Sequence, residues 1–160
     1  MAKPPLDKIE GQNFTAAHIG KWDGLDKYTF KHPKLPGEYP GKLFLKNVLK
    51  LTGMEVSLNK LPPGTQMPFY HKHKEHEELY LFIKGKGQFQ IDGRVVDVRE
   101  GTVIRVAPDA VRTWRNNSSE DLYFIVIQAK AGSLSGEDIS DGIGVGHRVK
   151  WPDPGYQEKD

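Results

Sequence analysis

The chain has 160 residues, 23 Lys and Arg against 21 Asp and Glu, a formal net charge of +2 and no cysteine. Near-balanced, interspersed charge argues against nucleic acid as the main partner, and the lack of cysteine excludes disulfides, thiolate metal sites and cysteine nucleophiles. No run approaches the ~18 apolar residues of a membrane span, and the opening MAKPPLDKIEGQNF has no apolar signal-peptide core, so a cytoplasmic protein without a membrane partner is expected.

One domain of ordinary size, typically about 100–150 residues, with extensions accounts for the length. Residues 1–42 form an irregular N-terminal arm, punctuated by Pro4, Pro5, Gly11, Gly20, Gly24, Pro33, Pro36, Gly37, Pro40 and Gly41. Such an arm lies on the surface of its own domain or crosses to a second subunit. Residues 43–130 read as strand and turn. Strands are expected over 43–51, 54–61, 77–84, 87–91, 95–98, 102–107, 112–116 and 122–128, with a histidine-bearing loop after the second. Asp92-Gly93 is a two-residue hairpin signal, because glycine accepts the positive φ of a type I′ turn. Short strands at this spacing, without a long amphipathic helix, predict an all-β sandwich or barrel. Residues 131–160 form a C-terminal extension in which GIGVGHRV reads as a short strand, and Trp151 and Tyr156 suggest a tail that is pinned down.

The chemistry concentrates in GTQMPFYHKHKEHEELYLFIKG, residues 64–85. Side chains alternate faces along an extended strand, so His71 and His73 point the same way. A carboxylate from the next strand, Glu78, would complete half of a first-row metal shell. His76 is out of step with the pair. In the following strand Glu78, Tyr80 and Phe82 share one face; Leu79, Leu81 and Ile83 share the other, so Glu77 is expected to face outward. A glutamate on an interior face needs a cation or hydrogen-bond donors. Glu55, Ser57 and Asn59 share a polar face that the usual polar-out rule sends to solvent; turned inward, it would add ligand contacts. Gln88 and Gln90 suit a pocket wall or a solvated hairpin. His147 is remote from the motif. Phosphate-binding loops, G-x-S-x-G elbows and zinc-ribbon spacings are absent from the sequence.

Gly64, the H-x-H of His71 and His73, Glu78 and Gly85 resemble the first motif of the cupin family, with one extra residue between Gly64 and His71. Gly101, Pro108 and Asn116 resemble the anchors of the second motif, with Ala110 where glycine is usual. Counting back from Asn116 puts Arg112 where that motif normally has its histidine ligand; counting forward from Pro108 gives Thr113. The resemblance covers about Met54 to Ala129. It implies a double-stranded β-helix, or jelly-roll, barrel with its site inside near one mouth, and a homodimer formed through edge strands.

On that resemblance the expected protein binds one divalent transition metal (Fe, Mn, Ni or Zn) through His71, His73 and Glu78. It would act as a dioxygenase or isomerase on a small polar or anionic substrate, with Glu78 and Arg112 as catalytic residues. Arginine stays protonated and cannot coordinate. Two arrangements follow: Arg112 pairs with Glu78 and no metal binds, or Arg112 stands off the metal and clamps an anionic substrate, with Trp114 walling the same cavity. The alternative function is a non-catalytic sugar or carboxylate binder that has lost its metal. A metal-free epimerase with His71 or His73 as base is a third reading.

Overall fold

The computed structural model describes residues 6–136 and 140–152. Among these residues twelve strands follow in chain order: β1 (Asp7–Glu10), β2 (Thr15–His18), β3 (Thr29–Phe30), β4 (Tyr39–Pro40), β5 (Lys42–Phe44), β6 (Glu55–Leu61), β7 (His76–Lys84), β8 (Lys86–Ile91), β9 (Arg94–Arg99), β10 (Val103–Val106), β11 (Arg112–Arg115) and β12 (Leu122–Lys130). A five-stranded sheet in the order β10-β7-β12-β6-β5 and a three-stranded sheet in the order β11-β8-β9 make the jelly roll. The predicted strands from residue 54 onward match to within one or two residues. The first does not: β5 stops at Phe44, and Lys46–Leu49 make a helical turn closed by Lys50 in the left-handed region at φ 59.

Hairpin chemistry fixes the β8–β9 register. Asp92 and Gly93 both have positive φ, 49 and 80, and set Ile91 opposite Arg94, as a type I′ turn requires. Gly85, at φ 90, links β7 to β8 where a Cβ would lie 2.3 Å from the Asp121 carbonyl, so a side chain is excluded there on two counts.

Alternation along β7 turns Glu78, Tyr80 and Phe82 inward, as expected. Tyr80, Phe82, Phe89, Val98, Val106, Trp114, Leu122, Phe124 and Val126 form the barrel core, with Phe89 and Trp114 stacked at 5.9 Å. Glu77 faces out and accepts a hydrogen bond from Arg105 Nε at 2.9 Å.

The N-terminal arm is more ordered than its weak apolar periodicity predicts. It forms the β1–β2 and β3–β4 hairpins and a 3₁₀ helix, Trp22–Lys27. Leu25 and Tyr28 pack with Leu43, Leu58 and Tyr123 in a second core outside the barrel. This reverses one expectation. With apolar cover on its outer face, β6 turns Ser57 and Asn59 inward, where both are buried; the polar-out rule assumes a sheet with one wet face. In the C-terminal extension, the expected strand over GIGVGHRV does not form, and Trp151 is 91% exposed. Nothing apolar in the described residues covers it, so its own domain does not pin it; Tyr156 lies outside the described residues.

Because Leu25 is fully buried and joins the arm to the sheet, Leu25→Ala should cost about 2–5 kcal/mol, read as a lower urea midpoint at unchanged slope.

Candidate metal centre

The loop between β6 and β7 runs antiparallel beside β11 and extends the smaller sheet. Met67 N donates to Trp114 O at 2.9 Å; His71 N donates to Arg112 O at 3.2 Å and Arg112 N to His71 O at 3.1 Å; His73 N donates to Pro108 O at 3.0 Å. Gln66 pairs with Arg115 and His71 with Arg112, so the loop spends two more residues than β11 over the same stretch. The surplus bulges at 68–70. Phe69 lies against His71, their ring centroids 6.0 Å apart, while Tyr70 is exposed and donates to Gln90 Oε1 at 2.8 Å. Gln88 is likewise engaged on the outside, by Asp97 and Arg115.

His71, His73 and Glu78 come together: one ligand atom from each lies within 4.8 Å of the others. His73 Nε2 is 3.0 Å from Glu78 Oε1, and His71 Nε2 is 4.0 Å from Glu78 Oε2. The two rings stand at 88° with centroids 5.5 Å apart. His71 Nδ1 is buried without a hydrogen-bond partner, and buried His73 Nε2 has the Glu78 carboxylate beside it but makes no hydrogen bond of good geometry. A buried polar atom left unpaired is costly, so two imidazole nitrogens beside a carboxylate fit a bound cation. His76 and His147 do not join the group.

Glu78 is held from behind. Its Oε2 accepts from Tyr80 Oη at 2.7 Å, Arg112 Nη2 at 2.6 Å and Arg112 Nε at 3.0 Å. Oε1 is thereby left toward the histidines. Arg112 is fully buried, and its Nη1 donates to Ala110 O at 2.8 Å and Pro108 O at 3.4 Å. Of the two arrangements open to it, the guanidinium adopts the pairing with Glu78. It does not line the cavity, whereas Trp114 does.

Burial pushes the Glu78 carboxyl up, but the Tyr80 hydroxyl and the Arg112 guanidinium outweigh it and hold its pKa below the ordinary value. Burial, aided by the Arg112 charge, lowers His71 to about 4, so its ring is neutral at pH 7 with a lone pair free for a metal. Burial, with the Glu78 charge, drives Tyr80 well above 10, fixing its hydroxyl as a donor.

A cavity of about 310 Å³ opens onto the cluster, walled by Phe44, Met67, Phe69 and Trp114 among others. His32 from the arm and Lys42 from β5 also line it. Neither was signalled by a motif; for Lys42 the clue was parity, since Leu43 packs outward and its neighbours must point in. Asn116 serves the fold: its Nδ2 donates to Leu61 O at 2.8 Å and Glu120 O at 2.7 Å.

Two imidazoles and a carboxylate at the interior cavity of a β-sandwich define a jelly-roll barrel with a candidate metal-ligand group, and comparison places it further. The Cupin domain family model matches residues 57–128. A cupin protein from Bacteroides fragilis, known by crystal structure, is 39% identical, with a TM-score of 0.63 over 72% of this chain and 98% of that one. The chain belongs to the cupin superfamily. It is also similar to an oxalate-binding protein of Thermotoga maritima, 31% identical over 68 residues, 42% of this chain and 55% of that protein. The chain thus spans about half the length of the curated relative it matches. A sugar phosphate isomerase of Silicibacter pomeroyi, 22% identical with a TM-score of 0.51 over 57% of this chain and 60% of that one, shares the fold alone. No helix among the described residues is long and apolar enough to cross a membrane.

Two outcomes test this geometry. Arg112→Met leaves a buried carboxylate uncompensated and should cost about 3–5 kcal/mol, measured by chemical denaturation. In metal-free protein the His71 contribution is complete above its unfolded pKa of 6.5 and is lost as pH falls toward about 4. The unfolded chain binds the proton first, so stability falls with pH in that window, by up to about 2–3 kcal/mol. His71→Gln should flatten the slope there and leave the further loss caused by Glu78 below about pH 4.5.

Proposed function

We propose that this cupin holds one divalent transition metal on His71, His73 and Glu78 and takes a small polar or anionic ligand in the adjoining cavity. The observation that carries this reading is the convergence of ligand atoms from His71, His73 and Glu78 within 4.8 Å of one another, on a carboxylate whose Oε2 is already tied down. Fe, Mn, Ni and Zn all suit two imidazoles and one carboxylate. When bound, the metal would supply Lewis-acid and templating chemistry of the dioxygenase or isomerase kind.

The chain's own groups have separable roles. His71, neutral at pH 7, and His73 offer ring nitrogens as ligands. Glu78 offers Oε1 and the only carboxylate of the three-residue cluster. Arg112 and Tyr80 orient Glu78 through Oε2, as outer partners of metal ligands do; Arg112 is a positioning residue in this reading, not a substrate clamp. Phe69 and Trp114 exclude water from one side.

One observation favours the second reading, a non-catalytic binder. The Arg112 guanidinium cancels the Glu78 charge, so a divalent cation would enter a site of zero net charge. At about 4–5 Å and an effective dielectric of 20, the guanidinium repels it by about 3–4 kcal/mol per unit of charge. Similarity to an oxalate-binding protein agrees with either reading, because a small dianion would restore the charge.

Elemental analysis of untagged protein decides between them. Near-stoichiometric metal that is lost in a His71→Ala/His73→Ala variant supports the metal site. No metal after reconstitution with Fe(II), Mn(II), Ni(II) and Zn(II) would sink it and leave the binder. Arg112→His, which removes the repelling cation and adds an imidazole, should tighten metal binding at least ~10-fold by the same Coulomb estimate, measured by competition with a chelating dye.

A further inference from the structure

The cavity holds a second polar pole, apart from the histidine–glutamate cluster. Alternation along β5 sends Leu43 to the outer core and Lys42 and Phe44 to the cavity. Lys42 Nζ donates to Asn59 Oδ1 at 3.0 Å and stands 5.0 Å from the centroid of the Phe44 ring. Asn59 is not free to turn away. Its Nδ2 donates to Ser57 O and Ser57 Oγ, both at 3.1 Å, and to Phe124 O at 3.4 Å, and both residues are buried. The Asn59 carbonyl is therefore aimed at the ammonium by the amide's other end.

This is a built site with an incomplete shell. An ammonium has three donors, and Asn59 takes one. Among the described residues no carboxylate lies within 4.0 Å of Nζ. The Glu78 charge is already spent on Arg112, and the aromatic face adds only a weak attraction. A partly buried cation with a neutral partner attracts an anion strongly, since little water competes for it. Burial lowers the Lys42 pKa to about 8, against the pull of Glu78 and Glu55, which still leaves it mostly charged at neutral pH. Lys42 also lines a neighbouring cavity of about 360 Å³ that runs under the arm past His32 and Tyr39, so it stands where the two cavities meet.

We infer that Lys42, oriented by Asn59 and Ser57, is the anchor for an oxyanion, carboxylate or phosphate, of the ligand that enters this cavity. The inference rests on the cavity being the ligand site, as proposed above, but not on a metal being bound. Carboxylate and phosphate present the same acceptor chemistry to an ammonium, and the test separates them.

Calorimetric titrations of the full chain, metal-free and metal-loaded, would use oxalate, glucose 6-phosphate and, as the uncharged control, glucose. The expected result is binding of oxalate or glucose 6-phosphate but not glucose. Lys42→Met should weaken that binding about 10- to 100-fold, the worth of one charge-assisted hydrogen bond. Lys42→Arg should retain most of it, and Lys72→Met, on the surface, should change nothing. In wild-type protein the bound anion should also slow reductive methylation of Lys42 relative to Lys72, a readout that needs no variant. Anion binding that survives Lys42→Met unchanged, or no binding of either anion to wild type, overturns the inference. The metal reading fails separately, by loss of metal uptake alone, and anion binding that persists in His71→Ala/His73→Ala would keep the Lys42 anchor while removing the metal.

Discussion

The site depends on one buried carboxylate. Glu78 is 6% exposed, and a carboxylate in that position must be compensated or it protonates. Compensation comes from Arg112 and Tyr80, both on Oε2. That choice of oxygen has consequences. Loading one oxygen with three donors fixes the plane of the carboxylate and leaves the other facing His73. Arg112 can reach Glu78 because β11 is held in register by the loop that carries His71. The strand pairing that positions the histidines therefore also positions the cation behind the glutamate, and neither can shift without the other.

The cavity depends on the arm as much as on the barrel. A jelly-roll sheet with its outer face in water would direct apolar side chains to one side and polar ones to the other. Here Leu25 and Tyr28 cover that outer face, and β6 is buried on both sides. Its polar residues then have nowhere to go but the interior, where they need partners. Ser57 and Asn59 find them in each other and in Lys42. The interior polarity of the cavity is thus a consequence of apolar packing outside the sheet.

Period-two patterning made the barrel strands legible: it put Glu78, Tyr80 and Phe82 on one face and excluded Glu77, and Asp92-Gly93 marked its own turn. The histidine pair was legible for the same reason, although its residues lie in a loop that only borrows a strand's geometry from β11. What stayed hidden was set by contacts distant in sequence. Nothing local marks residues 1–42 as a cover for the sheet, because Leu25 and Tyr28 carry no periodic signal, and without that cover β6 reads with its polar face outward. Lys42 fell at the edge of the arm, where an isolated lysine is ordinarily a solvated one. The β5 strand was overrun for a local reason, since Lys50 in the left-handed region closes a helical turn that an apolar run alone does not reveal.

Charge ties the two poles of the cavity together. The Glu78–Arg112 pair sums to zero, and Lys42 is matched in formal charge by Glu55, which lines the same cavity but has its Oε1 taken by the Lys46 and Val56 amides. A divalent cation at the histidines would add positive charge beside Arg112 and Lys42, and a dianionic ligand would offset it. On the proposed reading the two poles would favour a cation and an anion together over either alone, as opposite charges in a poorly hydrated space attract. A neutral histidine at the Arg112 position would lack this bias, because it adds no fixed charge. Arginine in that place would make the carboxylate a poorer counter-charge for a metal and the charge of any ligand part of the balance.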